Sequence, residues 1–511
     1  MKRIASLLLT LVMLLGLTAC GEQNNADADN TQDNSAKTDF VIATASEAVT
    51  LDPQGGWDGN SLYVMRQMYN GLVKLDGDMN IVGDLAESWE FTSDTSVTFQ
   101  LKKGVHFHNG EEMKASDVVF SIQRAQESAK VKSFTANIES VVADDDYTVT
   151  INTSIPYAPL MPNLCHTANS IVSQKAVEES NGNFSASPCG TGPFKFVRWD
   201  AGDKIVLERN DDYFNGEVLP STLTFKLMSE GSARMFALET GEVDLNLVVA
   251  ANDAERTQNT DGLELVVTMS PKIEYVSMNQ KVAPFDNQLV RQAINYAIDR
   301  DALNTVATDG YGEVTDSVMN KQINGYTSDV THYEYNVEKA KELLAEAGYP
   351  NGFSTSIVVG TSARSVEAQV IQGNLQEIGI DLEIVQMESS TLLEQINNGD
   401  YEMFIMNYNN TTGDPDTSLY MLFNSQVPAS SGNRSFTNIP EVDELLEGAR
   451  VETENDKRME LYAQVQQILT EQAVWVPLYC VPSMVGTRSG LEGYTPHPLG
   501  NDVFDQLHYA G

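Results

Sequence analysis

The chain holds 511 residues, with 72 acidic against 32 basic side chains and a formal net charge of −40. At roughly 100 to 200 residues per unit that length gives two to four packed units, and a 41% hydrophobic share with 35 glycines argues for a globular body. So negative a field, with no local Lys/Arg cluster to offset it, excludes a nucleic-acid surface and favours solubility and cationic solutes.

Met1, Lys2 and Arg3 precede an apolar run at 4–17, which leads into Leu17, Thr18, Ala19 and Cys20. The run falls short of the ~18 to 20 residues needed to cross a bilayer, so residues 1–19 read as a secretory signal peptide. Leu17-Thr18-Ala19-Cys20 resembles the bacterial lipobox, cut before the cysteine, which implies a lipid on Cys20 and an anchor at the outer face of a bacterial cell membrane. Cleavage there removes Lys2 and Arg3 and deepens the charge to −42. Residues 20–38 lack large apolar side chains and read as a disordered tether, holding the body about 25 Å from its anchor. Of the remaining cysteines, Cys165 and Cys189 sit beside loop-forming residues and are candidates for a disulfide.

The body begins near Phe40. Period-two runs at 95–101, 147–151 and 204–207 predict strands, and the turn residues Asp76 and Gly77 predict a hairpin. Helices are expected at 117–125, capped by Ser116 or Asp117, and at 232–240. Asp286 is expected to cap a helix with Val290, Ala293, Ile294, Ala297 and Ile298 on one face. Asn336 is expected to cap another, with Ala340, Leu343 and Leu344 inward and Gly348 at its end. Strand 355–359, helix 365–378, strand 380–386, helix 390–397 and strand 401–408 then form a β-α-β-α-β unit. Crossovers of that length imply parallel strands, whose carboxyl ends are where ligands bind in open sheets. The fold class is therefore α/β, and the loops at 360–364 and 409–416 are where binding residues are sought.

Catalysis finds no local support: there is no nucleophile elbow, zincin helix or phosphate loop. A surface hydrolase remains an alternative only because paired carboxylates are too common among 72 acids to be diagnostic. His106 and His108 share a strand face and could form half of a metal site, although packed strand histidines are the plainer reading. Arg364 and Asp414 suit the two ends of a zwitterion, a guanidinium fork for a carboxylate and an aspartate for an ammonium. Asp414 and Asp416 could equally cap a helix before Leu419.

Several segments, taken in order, resemble the family 5 extracellular solute-binding proteins of ABC importers. They are Leu51-Asp52-Pro53 and residues 68–73, 85–89, 101–110, 115–120, 190–194, 209–213, 290–300 and 413–416. The resemblance covers nearly all of 39–511. It implies a two-lobed periplasmic-binding-protein-like fold of type II, with mixed sheets and a hinge of two crossing segments. A large lobe would comprise 39–271 plus 484–511, and a second lobe 272–483. It further implies a monomer without cofactor or catalytic activity, delivering short peptides to permease and ATPase subunits. Nickel chelates, opines and sugars are alternative cargoes. By the same resemblance Asp414 would neutralise a ligand's α-amino group and Arg364 would take its carboxylate. Asp416, Tyr408 and Trp57 would line the cleft, with Asn279 at the end of one hinge crossing.

Overall fold

A computed structural model describes residues 37–510. The signal peptide, Cys20 and most of the tether lie outside the described residues. None of the described helices is long and apolar enough to cross a membrane.

One mixed sheet of eleven strands runs through the molecule. At its centre lie two long antiparallel strands, Leu263–Met278 and Trp475–Arg488. On one side follow Met403–Asn409, Ser354–Val359 and Asp381–Gln386; on the other, Leu245–Asn246, Asp39–Thr44, Thr222–Leu227, Lys204–Arg209 and Phe194–Asp200. The expected β-α-β-α-β unit is present with parallel pairing: Ile357 stands opposite Ile384 on one neighbour and Met403 on the other.

The two ends of the sheet belong to different cores. Residues 40–247 and 485–509 supply one cluster, including Phe40, Ile42, Val97, Phe99, Phe194 and Phe504. The parallel unit is covered on both faces, as parallel sheets generally are. Along Ser354–Val359, Ile357 and Val359 join one cluster with Ile294 and Leu343, while Val358 points the opposite way toward Phe404, Leu419 and Tyr462. Met403 and Ile405 likewise oppose Phe404. Two-sided burial accounts for the consecutive apolar residues Ile357-Val358-Val359 and Met403-Phe404-Ile405 in these strands.

In the first core a four-stranded antiparallel sheet carries the alternation expected at 95–101. Val97, Phe99 and Leu101 are buried, and Ser96, Thr98 and Gln100 are not. The turn at Asp76 joins Val73–Leu75 to Ile81–Gly83, and the Asp76 carboxylate accepts hydrogen bonds from the Asp78 and Asn80 amides.

Local capping departs from expectation at two helices. Gln288–Ala297 is capped by Asn287, whose side chain accepts from the Leu289 amide at 2.9 Å, and not by Asp286. Ala115–Glu127 starts earlier than expected, so Asp117 lies in its first turn and accepts from the Lys114 amide at 3.0 Å. Asn336 caps Val337–Glu346 as anticipated, through the Lys339 amide.

The central strand pair changes register where it passes from one core to the other. Met269 faces Pro482 but Ile273 faces Cys480, so four steps along one strand answer two along its partner. Ser270, Pro271 and Lys272 stand against Val481 alone and bulge, with the Ser270 hydroxyl donating to the Val481 carbonyl at 2.7 Å. A bulge of this kind bends and twists its strand locally, which turns the two halves of the sheet relative to each other.

Candidate functional site

Beside that bulge lies a cavity of about 260 Å³. The long strands form its floor at 268–272 and 481–485, and the C-terminal segment closes one side at 496–500. A third wall is the helix Gly59–Met68, started by Asp58, whose carboxylate accepts from the Ser61 amide at 3.0 Å. Gly59, Leu62, Tyr63 and Arg66 face the cavity, a spacing that places them on one helical stripe, while Met65 and Met68 turn into the core.

About half of the lining is apolar, with Leu62, Val249, Met269, Pro482, Val485 and Leu499 contributing. Three polar side chains stand out against it. The Arg66 guanidinium donates to the Gly500 carbonyl and makes no ion pair among the described residues. Burial pulls its pKa down to about 10, opposed by the charge of Asp502. The Asp502 carboxylate is engaged elsewhere, accepting from the His497 amide at 2.7 Å. Lys272 also makes no ion pair among the described residues, and burial holds its ammonium below the usual lysine value against the pull of Glu274. Asn409 sits directly across from Lys272 in the sheet, and its buried Oδ1 has no hydrogen-bond partner.

The residues singled out in the sequence are placed differently. Asp414 was expected to meet a ligand ammonium; instead Arg458 clamps both its oxygens, Nη1 to Oδ2 at 2.7 Å and Nη2 to Oδ1 at 2.6 Å. It also caps Pro415–Phe423 by accepting from the Asp416 amide, so its lone pairs are spent inside the fold. Asp416 faces Arg450, with Nε 3.0 Å from Oδ1. The expected carboxylate receptor, Arg364, is bound to Glu274 at 2.5 and 3.3 Å. The Tyr408 hydroxyl donates to the Thr417 carbonyl. Asn279 donates to the carbonyls of Gly399 and Tyr401, at 3.1 and 2.9 Å, fixing the end of its strand. Trp57 is 43% exposed and packs edge-on against Phe134 and His166. None of these side chains lines the cavity at the bulge.

Cys165, Cys189 and Cys480 are free thiols, so the pairing considered for Cys165 and Cys189 is not made. Burial pushes the Cys189 thiol up to about 11 and Cys165 higher still, which disfavours the thiolate that disulfide exchange requires. His108 is not poised for metal either. Its Nδ1 accepts from the Gly190 amide, its Nε2 lies 3.1 Å from the Gly192 carbonyl, and burial lowers its pKa to about 4.

A second charged group lies on the second-core side of the bulge. Glu367 accepts from the Tyr479 hydroxyl at 3.0 Å, its Oε2 has no partner, and Arg364 and Glu274 flank it. Burial first, and the Glu274 charge second, push its carboxyl up to about 7. A raised folded-state pKa means that the folded protein holds the proton more tightly. Its stabilising contribution is complete below the ordinary glutamate value and is lost as pH rises through about 7. Glu367→Gln should therefore flatten the pH dependence between 5 and 8 and raise stability at pH 8 by about 1–2 kcal/mol. Urea unfolding of both proteins at the two pH values measures this; parallel curves would assign the proton elsewhere.

Comparison with known proteins gives concordant matches. The family described as "Bacterial extracellular solute-binding proteins, family 5 Middle" matches residues 80–430. The glutathione-binding protein GsiB of Pectobacterium atrosepticum is 31% identical over 477 residues, covering 91% of this chain and 92% of that one. The heme-binding protein A of Haemophilus influenzae is 30% identical and spans 99% and 98% of the two chains. Among solved structures, the periplasmic binding protein DppA from Helicobacter pylori, in complex with the peptide STSA, superposes with a TM-score of 0.82 at 30% identity. That match covers 93% of this chain and 98% of the other.

Proposed function

The chain belongs to the bacterial extracellular solute-binding proteins of family 5, and from that premise we propose that it captures a short peptide or peptide-like solute between two lobes and delivers it to the permease and ATPase of an ABC importer. The observation that carries this reading is the cavity at the strand bulge. It draws walls from both cores and combines apolar side chains with convergent polar groups, as a small-ligand site does.

The lobes are 39–271 with 484–511, and 272–483. The hydrophobic clusters support this division: with few exceptions, such as Leu75, Met79 and Leu499, each keeps to one side of it. Away from the hinge the lobes also touch directly. The Ala158 amide donates to the Arg450 carbonyl at 2.8 Å, and Arg450 Nη2 donates to the Tyr157 hydroxyl at 3.2 Å. Contacts of this kind hold a closed state, and closure excludes water and strengthens each polar contact with the cargo. The chain is further proposed to act as a monomer outside the bacterial cell membrane, tethered by lipid on Cys20.

Native mass spectrometry of gently purified protein, followed by denaturation, tests the cargo. Release of short peptides or glutathione-like compounds is expected; release of a neutral sugar or a metal chelate alone would overturn the peptide reading.

A further inference from the structure

Two basic side chains on opposite walls line the same cavity. Lys272 stands at the bulge, at the edge of the second lobe, and Arg66 stands on the first-lobe helix opposite. Neither forms an ion pair among the described residues. Arg364, Arg450 and Arg458 are each held by a carboxylate, whereas the buried Arg234, Arg291 and Arg300 are held by carbonyls but do not line this cavity. Burial disfavours both charges and the non-contacting carboxylates Asp502 and Glu274 offset it only in part, so a negative charge brought by a solute is stabilised between the two cations. The nearest carboxylate in the lining, Asp502, is turned to the His497 amide and the Tyr494 hydroxyl. Beside Lys272, the orphaned Asn409 Oδ1 adds an acceptor with nothing to accept from.

We propose that this cavity is a carboxylate receptor, in which Lys272 and Arg66 together seat a carboxylate of the cargo and Asn409 Oδ1 accepts an N–H or O–H from the same molecule. The inference rests on the binding role proposed above and narrows its ligand class to acidic or zwitterionic solutes with a free carboxylate. It also reverses what the net charge of −40 suggests. The long-range field of the acidic surface is screened within about 10 Å at ordinary salt, whereas the cavity is governed by the two cations that line it. Lobe closure completes the seat, because the cations come from opposite walls.

The test uses the mature chain in equilibrium dialysis against two tripeptide libraries of equal composition, one of free acids and one of C-terminal amides, with gluconate and maltose as further probes. Free acids should be retained about 10- to 100-fold more tightly than amides, the range expected for loss of a charge-assisted hydrogen bond. Lys272→Gln should weaken the acids by a similar factor and leave the amides unchanged, Lys272→Arg should keep the preference, and thermal melts should show both variants folded. Equal retention of acids and amides by the wild type would overturn the carboxylate seat while the peptide reading stands. Retention of gluconate but no peptide, lost in Lys272→Gln, would overturn the peptide reading and support the seat. Retention of maltose alone, or of none of the probes, would overturn both.

Discussion

Arg458→Ala is expected to destabilise the second lobe by about 3–5 kcal/mol, the cost of leaving a buried carboxylate without its partner. Both side chains of the Arg458–Asp414 pair are almost fully withdrawn from solvent, at 7% and 6% exposure. Arg458 also donates to the Ala449 carbonyl and the Tyr462 hydroxyl, each at 3.1 Å, so it ties helix Asn455–Glu471 to helix Pro440–Val451 and to the loop before Pro415–Phe423. Removing it strands Asp414 beside Asp416, two acids with only Arg450 between them and the protein interior. Removing both partners, as in Arg458→Met with Asp414→Asn, should recover much of the loss, because the uncompensated charge is then gone. Urea unfolding of the two single variants and the double variant closes the cycle. A single-variant loss below about 1 kcal/mol would mean that water reaches the pair, as at exposed ion pairs.

That pair also shows where sequence reasoning succeeds and where it stops. The β-α-β-α-β unit is legible in its alternating short strands and helices, and elsewhere Asn336 and the Asp76 turn are legible because they satisfy backbone amides within a few residues. Such signals are local. The partner of Asp414 lies 44 residues downstream, and a charge in a sequence carries no address for the charge that neutralises it. Asp414 therefore reads equally well as a ligand anchor and as a helix cap, and the structure assigns it the cap and the clamp. The partner of Arg364 is as hard to read from sequence, since Glu274 is 90 residues away. The cavity itself depends on sheet register, which sets Asn409 opposite Lys272, and on the return of the C-terminal segment over Arg66. The one sequence signal that could have found part of it is the spacing of Gly59, Leu62, Tyr63 and Arg66, a helical stripe ending in a cation.

Trp475→Ala carries the other large expected effect, about 3–5 kcal/mol, as for a large aromatic side chain removed from a packed core. The indole stacks on Tyr275 at 3.6 Å between ring centroids and 10° between planes, and it meets Phe423 at 4.7 Å. Its Nε1 donates to the Ser435 hydroxyl at 3.3 Å. Tyr275 and Trp475 belong to the two long strands just beyond the bulge, so the stack fastens the strand pair to the second core and makes no part of the first. The loss should consequently fall on one lobe. Calorimetry should show a second-lobe transition moved to lower temperature while the first-lobe transition stays in place, a departure from two-state unfolding expected of separate cores. Trp475→Phe keeps a ring in the stack and should cost about half as much. If Trp475→Ala instead lowers one undivided transition, the two lobes unfold as a unit and the strand pair couples them more tightly than their separate cores imply.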